Sequence, residues 1–325
     1  MGARITGMGS YLPPKIITNA DLEELIDTSS KWIVQRTGIK SRHHLNSDDD
    51  PAIMGIEAGR DALSQAGVSP NEVDLLLVAT NFPDMICPGS APFIAAGLGL
   101  DQTPFFDIKA GCTGFVYGLV VANGLIASGG FRRILLVGTE ALSRVTDWSD
   151  RKTCVLFGDG AGAVLLEGAA PGEGILGSAL HADNDKALLL HLRAGGTRFP
   201  ATESTVKNGD HYLRMEGAGV FRSAVPMMEN SARQAVAAAG LHLSDIDWLI
   251  PHQANIRIID SLTRRLHLDK DQVIINVDRV ANTSTASIPI ALDEAVRAGR
   301  IEHGDLVVMT AFGAGVTYGA VLIKI

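Results

Sequence analysis

Three side chains suited to covalent chemistry sit where this sequence should turn. Cys112 lies in Ala110-Gly-Cys-Thr-Gly, at the head of a long apolar stretch. A thiol at a helix N-terminus faces the positive end of the helix dipole and loses its proton more readily. The flanking glycines let the backbone turn sharply and let a substrate come close. His252, in Pro251-His-Gln-Ala-Asn, follows an apolar run. The carboxyl end of a strand is where α/β sheets tend to build their sites. Asn282, in Val280-Ala-Asn-Thr-Ser-Thr-Ala-Ser, occupies another strand-to-helix turn. A thiolate nucleophile with His and Asn beside it is a workable set for covalent catalysis. Phe312-Gly-Ala-Gly is a flexible turn that can present backbone N–H groups, as an oxyanion hole requires. Taken singly, each residue has an ordinary alternative: an inert core cysteine, a hydrogen-bonded core histidine, a helix-capping asparagine.

The elements that must position these residues are short apolar runs separated by helix-like stretches. Val73–Ala79, Phe105–Ile108, Ile134–Val137 and Ala161–Leu166 read as strands, as do Asp247–Ile250, Val273–Val277, Leu306–Thr310 and Ala320–Ile323. Continuous apolar runs fit strands buried on both faces. Residues 52–66, 114–128, 225–239 and 290–298 read as helices. The alternation predicts an α/β protein with helices covering a mainly parallel sheet. The halves also resemble each other. Gln65-Ala-Gly-Val-Ser-Pro-Asn-Glu-Val-Asp-Leu-Leu-Leu reads like Ala238-Ala-Gly-Leu-His-Leu-Ser-Asp-Ile-Asp-Trp-Leu-Ile, which places Gly240 against Gly67. A duplicated α/β unit follows, with halves 1–170 and 171–325 divided near the loop GAAPGEG. In such a fold Cys112 and Asn282 stand at matching turns, and the symmetry brings them together between the halves.

The chain has 325 residues, 46% apolar and 20% charged, enough for a large core and against long disorder. The formal net charge of −8 disfavours a nucleic-acid partner. Three cysteines, at 87, 112 and 154, make neither a disulfide framework nor a metal knuckle, so no metal is expected and a reducing cytoplasm is the simplest context. No signal-peptide h-region is visible at the N-terminus. The uncharged stretch between Lys109 and Arg132 is long enough for a membrane span, but its six glycines suit a helix buried on all sides. Phe157-Gly-Asp-Gly-Ala-Gly-Ala fits no nucleotide-loop pattern and reads as a tight structural turn, and His43-His44 as surface.

Together the motifs resemble those of β-ketoacyl-[acyl-carrier-protein] synthase III, a thiolase-fold condensing enzyme family. The carriers are Ser30-Lys-Trp-Ile-Val-Gln-Arg-Thr-Gly-Ile, Ala110-Gly-Cys-Thr-Gly-Phe, Leu156-Phe-Gly-Asp-Gly-Ala-Gly-Ala, Pro251-His-Gln-Ala-Asn-Ile-Arg-Ile, Ala281-Asn-Thr-Ser-Thr-Ala-Ser-Ile-Pro and Ala311-Phe-Gly-Ala-Gly. The resemblance implies a thiolase-like duplicated fold, layered αβαβα, with two pseudo-symmetric halves. It implies a triad of Cys112, His252 and Asn282 and an oxyanion hole from the N–H groups of Cys112 and Ala314. Cys112 would take an acyl group from acyl-CoA, and malonyl-acyl carrier protein would then lose CO2 and attack the acyl-cysteine. No cofactor is implied beyond the CoA thioester substrate. Trp32 and Arg151 would sandwich the CoA adenine, with Thr28 and Arg36 nearby. Arg222, Arg257, Arg264 and Arg265 would dock the carrier protein. A homodimer is implied, whose partner would supply Cys87 as the floor of a primer pocket walled by Leu142, Phe157 and Leu189. A Phe at position 87 restricts such enzymes to acetyl, so Cys87 predicts tolerance of longer or branched primers.

The residues before the nucleophile are Ala-Gly rather than Ala-Ala. The turn after Phe312 is Gly-Ala-Gly rather than three glycines, which could tilt the oxyanion donor. A thiolase-fold acyltransferase of a secondary-metabolite pathway would use the same triad. Hydroxymethylglutaryl-CoA synthase needs an acidic base that no motif here supplies. A papain-like hydrolase also orders Cys, His, Asn but lacks its C-G-S-C-W context, and a ligand-binding protein on this fold would not need an intact triad.

Overall fold

The structure is a computed structural model, and it describes residues 2–325. Among the described residues, nine strands build two sheets. The first holds β1 (Ala3–Tyr11), β4 (Leu75–Ala79), β5 (Phe105–Ile108), β6 (Arg133–Glu140) and β7 (Gly160–Gly168), in the order β1-β7-β6-β4-β5. The second holds β8 (Gly174–Ala182), β11 (Trp248–Pro251), β12 (Leu306–Gly313) and β13 (Thr317–Lys324), in the order β11-β12-β13-β8. Two small pairs stand apart: β2 (Lys15–Thr18) with β3 (Ser41–His44), and β9 (Leu190–Leu192) with β10 (Leu213–Met215). The helices are α1 (Asn19–Leu25), α2 (Ser30–Thr37), α3 (Ala52–Ala66), α4 (Ala91–Leu98), α5 (Gly114–Ala127), α6 (Glu203–Lys207), α7 (Gly217–Ala238), α8 (Ile256–Leu266), α9 (Val277–Val280) and α10 (Ser287–Arg297).

The two sheets repeat one wiring. β1, β7, β6 and β4 correspond to β8, β13, β12 and β11, with the same sequence of antiparallel, antiparallel and parallel pairings. The expectation of mainly parallel sheets is corrected by this wiring. Each half ends in a strand that folds back antiparallel on its predecessor, as β13 does on β12 across a short turn. β5 pairs parallel with β4 through Leu76 and Phe105. Its counterpart is a single bridge from Leu249 to Val273, where Ile274 N–H donates to Leu249 O at 2.9 Å. The strand expected at Val273–Val277 is therefore absent, and Gln253 is the reason. Its buried side-chain carbonyl accepts from the N–H groups of Asn276 and Val277, at 3.1 and 3.2 Å, and draws the chain off the sheet into α9.

Hydrophobic burial explains the layering. α3 and α4 cover the outer face of the first sheet through Met54, Ala58, Ala62 and Ile94. α7 and α8 cover the outer face of the second through Val225, Met228, Ile259 and Leu262. Between the sheets lie α5 and α10, whose Phe115, Leu119, Ile288 and Leu292 join both inner faces in one core. Burying such a side chain contributes roughly 1.5–3 kcal/mol. The uncharged stretch after Lys109 is thus the buried helix α5. At 14 residues it is about 21 Å long, too short to cross a bilayer. No helix of the described residues is long and apolar enough to do so.

Two sequence readings of loops meet different outcomes. The turn at Phe157 is structural: Asp159 is fully buried and accepts from Leu45 N and Ser143 N at 2.9 and 2.8 Å. His44, expected at the surface, is instead buried edge-on against Trp148 at 5.1 Å. Strand β3 turns alternate residues inward, and Arg42 and His44 are the inward pair.

Candidate active site

Symmetry places the chemistry between the halves. Cys112 stands at the head of α5 and Asn282 shortly before α10, the two equivalent central helices. His252 follows β11. All three are buried and line one cavity of about 550 Å³. Trp32, Arg36, Arg222 and Arg257, far more exposed, line the same cavity at its outer end.

Two backbone turns meet at the nucleophile. Gly111 adopts φ +60°, a left-handed value that favours glycine. A Cβ there would lie 2.4 Å from Ala314 N, and one on Gly313 would lie 2.3 Å from Cys112 N. Only glycine at both positions lets the turns close, and that closure aims the N–H groups of Cys112 and Ala314 at the Cys112 sulfur. Donors so placed can hold an oxyanion formed beside it. The alanine of Gly-Ala-Gly does not remove this donor.

Burial pushes the Cys112 thiol up to about 11, against the hydrogen bonds it receives from Ser284 and the two N–H groups. The expectation of a readily ionised thiol is corrected accordingly: desolvation outweighs those donors in the closed site.

His252 is held down to about 4 by burial, so it is neutral at pH 7. Its Nδ1 lies 2.7 Å from Ser287 Oγ, and Gln253 N–H donates to that same oxygen at 3.4 Å. The Ser287 hydroxyl, already accepting from Gln253, is free to donate its proton to Nδ1. That tautomer leaves Nε2–H as a donor. Asn282 Oδ1 accepts from Ser284 N–H at 2.9 Å, which fixes the amide and leaves its NH2 free to donate. The loop pays for this geometry in strain: Ala281 and Ser284, neither a glycine, sit at φ +60° and +52°.

Other expected residues divide. Trp32 and Arg36 line the cavity, whereas Arg151 closes over the Trp32 ring at 4.8 Å and donates to Asp27 O at 2.9 Å. Thr28 is half-buried with an unpartnered hydroxyl and does not line the cavity. Phe157 lines it, and Leu142 packs behind Phe157. Leu189 is corrected to Leu190. Leu189, the last residue of a 3-10 turn, faces a separate depression beside Glu216 and Pro226, and Leu190, the first residue of β9, lines the cavity. Cys87 is exposed in this chain and does not line the cavity. Arg222 and Arg257 reach the cavity mouth, and Arg264 is exposed seven residues further along α8. Arg265 is held by Glu229.

One buried group was missed by sequence reasoning. Glu140 ends β6, is 1% exposed, and accepts from Asn81 N at 2.9 Å and Phe82 N at 3.3 Å. Ser284 Oγ lies 3.2 Å from Glu140 Oε1 and 3.3 Å from Cys112 Sγ. A carboxylate is therefore two hydrogen bonds from the nucleophile, although no motif announced one. The available signal was a lone acid closing the apolar strand Leu135-Leu-Val-Gly-Thr-Glu. Among the described residues, no cluster of three or more His, Cys, Asp or Glu could hold a metal.

Comparisons with known proteins agree on one family. Residues 106–184 match the model described as 3-oxoacyl-[acyl-carrier-protein (ACP)] synthase III, and residues 236–325 match its C-terminal companion. A β-ketoacyl-[acyl-carrier-protein] synthase III of Symbiobacterium thermophilum is 46% identical over 98% of this chain and 97% of its own. The crystal structure of 3-oxoacyl-[acyl-carrier-protein] synthase III from Aquifex aeolicus superposes with a TM-score of 0.92 at 41% identity, covering 100% of both chains. The priming β-ketosynthase of a polyketide biosynthetic pathway gives a TM-score of 0.91 at 36% identity, over 100% of this chain and 96% of that one.

Proposed function

The chain belongs to the β-ketoacyl-[acyl-carrier-protein] synthase III family of acyltransferases, and we propose that Cys112, His252 and Asn282 carry its reaction. The enzyme starts fatty acid synthesis by condensing an acyl-CoA primer with malonyl-acyl carrier protein. The supporting observation is the meeting of one thiol and two neutral hydrogen-bond donors at the buried end of a single cavity.

Cys112 attacks the primer thioester while the N–H groups of Cys112 and Ala314 hold the developing oxyanion. CoA departs along the cavity, past Arg36 and the Trp32–Arg151 pair. That pair must part to admit an adenine, exchanging one cation–π contact for stacking on both faces of the base. Malonyl-acyl carrier protein then docks on the exposed arginines 222, 257 and 264. The NH2 of Asn282 and Nε2–H of His252 donate to the malonyl thioester oxygen. They stabilise the enolate left by CO2, at the point where charge develops. The enolate carbon attacks the acyl-cysteine and releases the β-ketoacyl product. The halves 1–170 and 171–325 divide this labour: the first supplies the nucleophile, the second the two side-chain donors.

A homodimer fits the exposed apolar groups. The edge strand β5 presents Phe105 and Phe106, and Met85, Ile86, Phe93 and Val121 are also exposed. A partner covering this face brings its own residues 85–88 to the primer pocket. The reducing cytoplasm suits three free cysteines.

The test is intact-mass spectrometry after mixing with acyl-CoA. An acyl adduct that maps to Cys112 and is lost in Cys112→Ala supports the reading; no adduct overturns it. The likeness to a polyketide priming enzyme keeps a second reading open, the same chemistry with a different acceptor. Condensation with malonyl-acyl carrier protein of fatty acid synthesis, compared with other carrier proteins, separates the two.

A further inference from the structure

A buried carboxylate that the reaction above does not use stands beside its nucleophile. Glu140 Oε1 accepts from Asn81 Nδ2 at 2.5 Å and from Asn81 N, Oε2 accepts from Phe82 N, and Thr80 Oγ1 lies 3.4 Å from it. Those contacts cap the turn after β4 and would be a sufficient structural reason for an acid here. They leave one contact unexplained, the Ser284 hydroxyl. Ser284 has a single proton and two neighbours able to take it, Glu140 Oε1 at 3.2 Å and Cys112 Sγ at 3.3 Å. Asn81 Nδ2 also donates to Ser284 Oγ, at 3.2 Å. The backbone of Ser284 is left-handed with its N–H held by Asn282 Oδ1, and contacts to Asn81 Nδ2, Cys112 Sγ and Glu140 Oε1 place the hydroxyl between the two groups.

The geometry points to a proton relay in which Ser284 takes the Cys112 thiol proton and passes its own to Glu140 as Cys112 attacks the acyl thioester. The inference rests on the acyl-cysteine reading above. The S–H bond breaks and a Ser284 O–H bond forms, while the original Ser284 O–H bond breaks and a Glu140 O–H bond forms. The negative charge moves from carboxylate to sulfur, and Ser284 is left donating to the thiolate. CoA leaves as its thiolate and takes a proton from solvent at the open mouth. When condensation expels Cys112 as a thiolate, the same path returns the proton from Glu140. One solvent proton is consumed per CO2 released, which balances the overall condensation.

Two further facts agree. Burial lifts Glu140 to about 7, which makes it a competent acceptor near neutral pH, and it lifts the thiol, which makes an acceptor necessary. The groups facing Glu140 are Thr80, Asn81 and the Phe82 amide from the segment after β4, and Ser284 from the loop before α10, all neutral. Cys112 faces it from the head of α5. Ser284 is thus a catalytic residue, and Glu140 a positioning residue acting through it.

The experiment measures the two half-reactions separately against pH: Cys112 acylation by acetyl-CoA, and decarboxylation of malonyl-acyl carrier protein. Wild type should acylate with an acid limb near pH 7, where Glu140 titrates. Ser284→Ala should acylate about 10²-fold more slowly, the lower end of general acid–base effects. It should lose that limb, its rate rising with thiolate up to pH 9, and should decarboxylate malonyl substrate within twofold of wild type. Glu140→Gln should show the same split; if it does not fold, Ser284→Ala decides alone. Wild-type acylation with an intact limb in Ser284→Ala overturns the relay, as does an equal fall of both half-reactions, the mark of a structural role. Failure of wild type to acylate overturns the underlying reading instead.

Discussion

Gly313→Ala tests the contact between the two turns directly. Gly313 sits at φ −144° and ψ 177°, extended backbone that any residue adopts, so the substitution carries no conformational penalty. The added methyl is the whole perturbation. It would fall 2.3 Å from Cys112 N and 2.9 Å from Gly111 C, both backbone, where real Cβ contacts are essentially never under 3.0 Å. The turns must therefore separate by about 0.7 Å or more, which moves the Ala314 N–H away from the Cys112 sulfur. Losing one oxyanion donor costs 10²–10³ in rate, about 2.7–4 kcal/mol. Single-turnover acylation by acetyl-CoA, read by quenched intact mass, should slow by that factor. Decarboxylation of the malonyl substrate, which uses the side chains of His252 and Asn282, should change little. A thermal melt guards against a folding defect. A folded Gly313→Ala enzyme acylating within tenfold of wild type would refute the inference that the glycine exists to set these donors.

Other expectations follow from named groups. His252 is lowered to about 4 from 6.5, so the unfolded chain takes up protons that the folded chain resists. Stability should therefore fall as pH drops from 6.5 to 4. At 1.36 kcal/mol per unit, urea denaturation should show wild type losing about 3 kcal/mol more than His252→Gln over that window. A parallel fall in both would contradict it. Cys87→Phe should narrow primer use toward acetyl, seen as a larger drop in kcat/KM for longer or branched acyl-CoA than for acetyl-CoA. Arg264→Glu, on exposed α8 surface, should raise KM for malonyl-acyl carrier protein severalfold and leave acylation by acetyl-CoA unchanged.

Much of the layout is legible in the amino-acid sequence. The buried runs Leu75–Ala79 and Leu306–Thr310 betray themselves by continuous apolar character, and α3 by a helix-like run of 15 residues closed by Gly67. β1 and β8 escaped because they are not apolar enough to stand out. In β1 the reason is α3, which packs straight onto the backbone: a Cβ on Gly7 would lie 2.3 Å from Ala62 O. The Val273 strand failed for the opposite reason, since its apolar pattern is genuine but the Gln253 side chain captures its backbone. Cys112, His252 and Asn282 carried readable context because turns flank them. Glu140 and Ser284 did not, because their pairing spans 144 positions and depends on how two halves meet. Leu189 against Leu190 is a one-residue step across the boundary between a 3-10 turn and a three-residue strand, which composition cannot resolve.

The missing fifth strand of the second half has a consequence for assembly. In a duplicated fold each sheet would offer an equivalent outer edge, and a chain with two sticky edges can add copies at both, growing without limit. Here Gln253 diverts the chain into α9, so β11 gains no fifth partner strand, whereas β5 carries exposed phenylalanines at its edge. The residue that erased a strand thus makes the two halves unequal, leaving the phenylalanine-bearing edge of β5 with no equivalent in the second half.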